Sequence, residues 1–498
     1  MERRHPVESI GSVIRNTLPN ITVESISALP SRRLQRFFNI KVSDGRTLLL
    51  SLPPSPTLRL LRSERALHLS EVVVTRWILE TVLESSSQVG ERVHGSVTTC
   101  HHIGDQLWRD TGMPKRNILR YLPVLIAHSP SSAELGSPFN VFEVTRGVTI
   151  AESATPLMGF EKQIVDFQLG QFIRQLSSFT SPNGLFGSAI AVISPQSASS
   201  DVHTNQQFAM GFRGVKSWRQ AFHSLLEGVL RDAEDMAVAI SYEPIRGYFN
   251  RLGHCLDGVT VARLVLLDAS DELNFLVSRY AKPTEQSEEE SSPSPPNQQT
   301  KSRETRAFPT KSENSCYIEA DNGTQSPIIN VTGLRDWSNC IFGDPLMAEV
   351  FSRGPTTEFL QGLRQCQGAN RDTPPPCPAT NSRQEGDDDV LYNDTFIEDG
   401  EGAATRLLLY ECYHATVGVV KSFYRPGPSS SDQEITARRR LATVLRRLEE
   451  VDEETVSKRA RRPSANMEAW PVKRSKGDSR LPSRESPREH LKHEEEDQ

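Results

Sequence analysis

The chain has 498 residues, a formal net charge of −6, a hydrophobic fraction of 36% and 32 prolines. That length suits roughly two to three domains, and the hydrophobic fraction falls below the roughly 45–50% of ordinary globular chains, so a core diluted by disordered segments is expected and the charge gives no sign of nucleic acid as the main partner. The seven cysteines (Cys100, Cys255, Cys316, Cys340, Cys366, Cys377 and Cys412) are scattered, odd in number and without a C-x-x-C pair, which argues against a disulfide framework or zinc site and fits a reducing, intracellular compartment. The first twenty residues lack the apolar stretch of a signal peptide, and no apolar run approaches the roughly 18 residues of a membrane span, so no membrane partner is expected.

In chain order, residues 6–18 can form one short helix. Phe37–Val42 and Thr47–Leu52 flank Ser43-Asp44-Gly45-Arg46, and Asp-Gly between two apolar runs predicts a β-hairpin. A helical stretch follows over about 57–84, with Leu67, Val74, Trp77 and Ile78 on one face and Glu64 and Glu71 among its charges. After a break at Ser85–Gly90, further short strands are expected near Asn117–Ile126 and at Phe139–Val144. The next region is mostly helical: 160–180, 217–238 and 244–256 carry apolar residues at helical spacing. Val261–Asp268 reads as a strand running into an acid, and Phe275–Val277 resumes a strand after the loop Asp268–Asn274.

Residues 281–325 are polar and proline-rich, too poor in apolar side chains to offset the entropy of ordering them. The strands on either side, 275–278 and 327–331, can pair as a hairpin with this insertion as its tip, where added length costs little. A second disordered stretch is expected over about 367–403. Apolar helices then follow at 406–424 and 433–453, and a charged, disordered tail over 454–498.

Three residues at strand ends carry the chemistry: Asp268, Asn274 and Asp336. Phosphoryl transfer uses a carboxylate to orient the attacking hydroxyl, an Asn and a second Asp to hold magnesium on the phosphates, and a cation on those phosphates that is itself held by a Glu. Asp268 is the candidate catalytic base, with Asn274 and Asp336 the candidate metal ligands. Other candidates fall away: His101-His102 lacks a third ligand at sensible spacing, and Cys412 lies on an apolar helix.

With LPSRRLQRFF, SDGRTLLLSLPPSPTLRLLRSE, FNVFEVTRG, LGQFIRQLSS, SWRQAF, RLVLLDASDELNFLV, VTGLRDWSNCIFGDP and LLLYECYHATVGVVKSFYRP, the chain resembles a fungal member of the aminoglycoside phosphotransferase family over most of residues 25–450. The resemblance implies an α+β, protein-kinase-like bilobal fold: a strand-rich N-lobe (1–145) and a larger helical C-lobe (146–453). It also implies ATP or GTP with Mg2+ in the cleft beside a hinge at Phe142 and Val144, with Glu71 as the helix glutamate. Departures are equally clear. Leu266 stands where the family's loop has a His, and five residues rather than four separate Asp268 from Asn274. Anchored on Asn274, the catalytic position would fall on Ala269. Ser51 occupies the place of the phosphate-pairing cation, with Lys41 on the neighbouring strand as a substitute, and the loop Ser31–Arg36 over the phosphates has no glycine.

Two readings follow: a phosphotransferase acting on a hydroxyl of a small-molecule acceptor, or a degenerate kinase-like module that binds nucleotide or protein and turns nothing over. Lys458-Arg459-Ala460-Arg461-Arg462 and Lys473-Arg474-Ser475-Lys476 have the spacing of a bipartite nuclear import signal, which adds an import receptor as partner and the nucleus beside the cytoplasm as location. The acids at Glu494–Asp497 argue against nucleic acid.

Overall fold

A computed structural model of the protein describes residues 6–29, 33–87, 114–194, 213–280, 328–364, 396–427 and 430–460. Both lobes fall in one compact unit ending at Asp452.

The N-lobe opens with the helix Pro6–Thr17. Strands β1 (Val23–Ala28), β2 (Arg36–Val42) and β3 (Thr47–Leu52) follow; after the helix Leu67–Ser87 come β4 (Leu125–Ser129) and β5 (Phe139–Glu143). They form one antiparallel sheet in the order β1-β2-β3-β5-β4. The β2–β3 hairpin is the one expected from Asp-Gly. Gly45 sits at φ +83°, and the Asp44 carboxylate accepts the Arg46 N–H at 3.0 Å. Because side chains alternate along a strand, β3 divides its work. Leu48, Leu50 and Leu52 join Ile40, Val141 and the helix residues Ile10, Val13 and Ile14 on one face. On the other, Leu49 packs with Phe37 and Phe142, and Ser51 is fully buried.

The C-lobe is mostly helical: Gly159–Leu176, Trp218–Asp235, Tyr242–Leu252, Thr357–Arg364, Gly400–Tyr424 and Ser430–Ala460. Its strands are β6 (Val148–Thr149), β7 (Gly187–Ser188), β8 (Arg263–Leu266), β9 (Phe275–Tyr280), β10 (Ile328–Leu334) and β11 (Cys340–Gly343), in two small sheets ordered β10-β9-β6 and β7-β11-β8. The expected pairing across the insertion is present: β10 runs antiparallel to β9, with Ile329 opposite Arg279 and Val331 opposite Val277. The large core runs through this lobe and into the N-lobe helix, where Val74, Ile78 and Val82 join it and Trp77 meets Phe179 and Phe342 edge to face. The described residues thus form a strand-rich N-terminal part and a mostly helical remainder, an α+β arrangement as expected.

Four expectations change. The strand expected near Asn117–Ile126 is a 3-10 helix, Pro114–Tyr121, followed by β4. Its buried Ile118 and Tyr121 stand three apart, the repeat of that helix. The long N-lobe helix begins at Leu67 rather than 57, after a short turn at Arg62–Glu64. Of the stretch expected to be disordered to 403, residues 396–403 are ordered: Phe396 and Ile397 are buried, and Asp399 caps the helix from Gly400 through the Gly402 N–H. The last helix reaches Ala460 rather than 453. Residues 281–327, 365–395 and 461–498, with His101-His102, lie outside the described residues. Among those described, no helix is long and apolar enough to cross a membrane.

The helices Gly159–Leu176 and Thr357–Arg364 cross with backbone nearly touching backbone. A Cβ on Gly170 would meet the Phe359 carbonyl, and one on Gly362 the Phe167 carbonyl. Gly170→Ala or Gly362→Ala must push the helices apart, costing about 1–3 kcal/mol. Equilibrium denaturation of either variant should show a lowered midpoint with unchanged slope.

Candidate functional site

Strand β8 delivers Asp268 to the cleft between the lobes. Two tight turns carry the chain on to Asn274: the Asp271 N–H donates to the Asp268 carbonyl at 3.0 Å, and the Asn274 N–H to the Asp271 carbonyl at 2.8 Å. The fifth intervening residue is absorbed by these two turns meeting at Asp271. Asp268 keeps its place facing the cleft, whereas Ala269 is buried in the core. Leu266 is fully buried in β8 opposite Cys340.

Strand β10 delivers Asp336 to the same place, and Asn274 fixes it there. The Asn274 amide donates to the Asp336 carbonyl and accepts the Asp336 N–H, each at 3.0 Å. One oxygen of the Asp336 carboxylate accepts the Ser338 N–H at 2.7 Å. The structure thus brings Asp268, Asn274 and Asp336 together, with the Asn274 side chain turned onto Asp336's backbone.

Arg33, from the N-lobe loop between β1 and β2, reaches across the cleft to this cluster. Its Nη2 donates to Asp268 at 2.6 Å and to Asp336 at 3.1 Å, its Nε to Asp336 at 3.2 Å and its Nη1 to Asp271 at 2.8 Å. The guanidinium is 8% exposed, Asp336 5%, Asp268 16% and Asp271 32%. Burial disfavours the charge on Arg33, but the three carboxylates outweigh burial and hold its proton above the ordinary range. Burial pushes the Asp268 carboxyl up, Arg33 pulls it back and Asp336 pushes it up again. The second Asp268 oxygen, Oδ1, is buried without a hydrogen-bond partner. In kind these oxygens suit a hard divalent cation such as magnesium. In arrangement they are spread around the guanidinium, and among the described residues no three His, Cys, Asp or Glu side chains stand positioned for a metal ion.

Behind the acids lies a buried polar cluster. Ser51 Oγ is 3.4 Å from a Glu71 carboxylate oxygen and 3.2 Å from Gln35 Oε1, and the Asn140 amide donates to the same Glu71 oxygen at 3.2 Å. Glu71 forms no ion pair among the described residues; burial first, then the charge of Asp336, raises its pKa well above the usual carboxylate range. Lys41 is exposed on β2, not in the cleft. His68 is buried with both ring nitrogens unpartnered, and burial lowers its pKa to about 4.

Next to the acids a cavity of about 170 Å³ opens between the lobes, with Leu49, Phe142, Val144, Leu276, Leu334 and Arg335 in its lining. That is smaller than the roughly 300–1,000 Å³ of a typical small-molecule pocket and is room for little more than a ring system. Phe142 and Val144, the residues expected at a hinge, are in this lining, and the Val144 N–H is taken by the Thr47 carbonyl at 3.1 Å. Strand β10 links cavity and acids directly, since Arg335 lines one and Asp336 belongs to the other.

A second buried polar cluster follows β11. Asp344 is buried and accepts from Arg406 Nε and the Tyr410 hydroxyl, both at 2.8 Å, and the Tyr410 hydroxyl accepts the Trp218 indole N–H at 2.7 Å. Gly343 leaves the space that Trp218 fills. Sequence reasoning missed Arg33 and Asp271 as members of the site; the only sequence signals were their places in the phosphate loop and in the Asp268–Asn274 loop.

A raised carboxyl pKa makes the folded state bind more protons than the unfolded one between the two pKa values, so stability falls as pH rises from about 4.5 toward the folded value. Glu71→Gln keeps the shape without the charge. The variant should gain on the parent as pH rises from 5 to 9, read as the difference in thermal midpoint; a glutamate paired with a cation would give the opposite trend.

No family model matches the chain, and no curated protein does. Among solved structures it is similar to the GDP complex of aminoglycoside 2'-phosphotransferase-IIIa (11% identity over 89% of this chain and 99% of that one, TM-score 0.41). It is similar also to a candidate fructosamine-3-kinase from Thermobifida fusca (10%, 88% and 99%, TM-score 0.43) and to macrolide 2'-phosphotransferase MphH from Brachybacterium faecium (10%, 86% and 97%, TM-score 0.35). At such identities and TM-scores residue roles do not transfer from these neighbours.

Proposed function

We propose nucleotide-dependent phosphoryl transfer to a hydroxyl of a small molecule, with ATP or GTP as donor. The observation that supports it is the convergence of Asp268 and Asp336, set by Asn274, beside an interlobe cavity at Phe142 and Val144. In this reading Asp268 orients the acceptor hydroxyl and takes its proton. Asp336, whose backbone Asn274 holds, would bind magnesium, whose part is to neutralise charge on the phosphates. Glu71 supports the cleft wall rather than a cation. Loss of one oriented base or charge clamp lowers rates on the order of 10²–10⁴-fold, so with Ser51 uncharged the reaction is slow.

A second reading, a kinase-like binding module without turnover, is favoured by one observation: Arg33 lies across the acids that would serve the phosphates. Two measurements separate them. Millimolar ATP or GTP with magnesium should raise the thermal midpoint of the protein, and Asp336→Ala should abolish the rise; no rise with either nucleotide overturns both nucleotide readings. Phosphate release should then fall about 10²-fold or more in Asp268→Asn, while release indistinguishable between parent and variant leaves the binding module. For the basic tail, Lys458–Lys476, we propose nuclear import; a fluorescent fusion lacking residues 455–498 should lose nuclear accumulation, and unchanged localisation removes the idea.

A further inference from the structure

We propose that the interlobe cavity reads the base of the nucleotide and prefers guanine to adenine, through the side-by-side pair Arg335 and Glu152. The inference rests on the nucleotide reading above and names the base. Three observations carry it. First, the cavity of about 170 Å³ is lined by buried Leu49 and Phe142 from the N-lobe and buried Leu276 and Leu334 from the C-lobe, walls that suit the apolar faces of a flat ring. Second, the Glu143 N–H is taken by the Val124 carbonyl at 2.8 Å and the Val144 N–H by the Thr47 carbonyl at 3.1 Å. These two lining residues offer a ring no backbone donor, so side chains must read it. Third, Arg335 and Glu152 both line the cavity and lie against each other, with Arg335 Nη2 donating to Glu152 at 3.1 Å. That is the guanidinium's one hydrogen bond among the described residues, and its side chain is only 12% exposed.

A guanidinium carries five N–H donors and a carboxylate two acceptor oxygens, so both groups keep capacity for a ligand. Burial lowers the Arg335 pKa, Glu152 draws it back up, and the charge of Arg33 lowers it again; a further acceptor at the guanidinium relieves that cost. Guanine presents the acceptor O6 beside two donors, N1–H and the N2 amino group, whereas adenine presents an amino donor in the place of O6 and a bare C–H in the place of N2. A donor on O6 and a carboxylate on N1–H and N2 match the pair as it stands. Adenine in the same pose sets donor against donor at Arg335 and leaves Glu152 without a partner on the base, which a site built from hydrogen-bonding groups rejects. Asn39 and Thr145, also in the lining, can each donate or accept and so do not discriminate. Arg335 directly precedes Asp336 in the chain, so a base held here has its phosphates within reach of the acids.

Isothermal titration of the full-length protein with GTP, ITP and ATP, each with magnesium, tests the proposal, and phosphate release plays no part in the measurement. GTP should bind at least about ten-fold more tightly than ATP, with ITP, which keeps O6 and N1–H but lacks the N2 amino group, in between. Arg335→Met should bring the GTP and ATP affinities to within about two-fold of each other. Equal affinities in the parent, tighter binding of ATP, ITP as tight as GTP, or a GTP preference undiminished in Arg335→Met overturns the base reading while leaving nucleotide binding in place. No binding of any of the three overturns both. If Arg335→Met does not fold, Glu152→Gln decides, since Glu152 is 33% exposed and the change keeps its shape. The advantage of GTP over ITP should then disappear, and an unchanged advantage overturns the role of the pair.

Discussion

Three carboxylates drawn into one cleft must be balanced by positive charge, and that requirement organises the molecule. An isolated buried charge is costly enough that it is paired or neutralised. Asp268, Asp271 and Asp336 are paired through Arg33, while Glu71, in the same interlobe region, forms no ion pair among the described residues, and burial raises its pKa. Two solutions to one electrostatic problem thus stand side by side. One ties the N-lobe loop to the C-lobe; the other sets Glu71 among the buried polar side chains of Ser51, Gln35 and Asn140.

Asp344 meets the same demand by a different route. Its carboxylate is raised by burial and drawn back by Arg406, with Tyr410 donating a further hydrogen bond. Trp218, Gly343 and Tyr410 come from three separate stretches whose sequences first suggested the kinase-like fold, and they meet around this one acid.

Much of the architecture was legible. Asp-Gly fixed the β2–β3 hairpin because a tight turn is a local property, and apolar periodicity placed the main helices. The β9–β10 pairing followed from two apolar runs on either side of a polar tract. The convergence of Asp268, Asn274 and Asp336 could be anticipated from their places at strand ends. Arg33 could not: its carboxylate partners lie 235, 238 and 303 positions away, and one arginine in Ser31-Arg32-Arg33 looks like any solvated charge. The buried polar cluster was hidden for a related reason, since Ser51 and Glu71 show their meaning only when packed together. The turns meeting at Asp271 could not be read from the five-residue spacing, because counting residues between two positions says nothing of how tightly the chain between them is wound.

The β9–β10 ladder has a consequence for how this site can vary. Asn274 immediately precedes β9 and Asp336 closely follows β10, and the ladder between them sets their separation, with a register shift between Val331 and Gly333. The chain joining the far ends of the two strands leaves at Tyr280 and returns at Ile328. Closing a longer connection there adds only about 0.6 kcal/mol per doubling of its length. Lengthening, shortening or even severing that connection would act on the ladder's outer end, remote from the carboxylates, so the segment is free to change as new sequence is inserted while the spacing of Asn274 and Asp336 stays fixed.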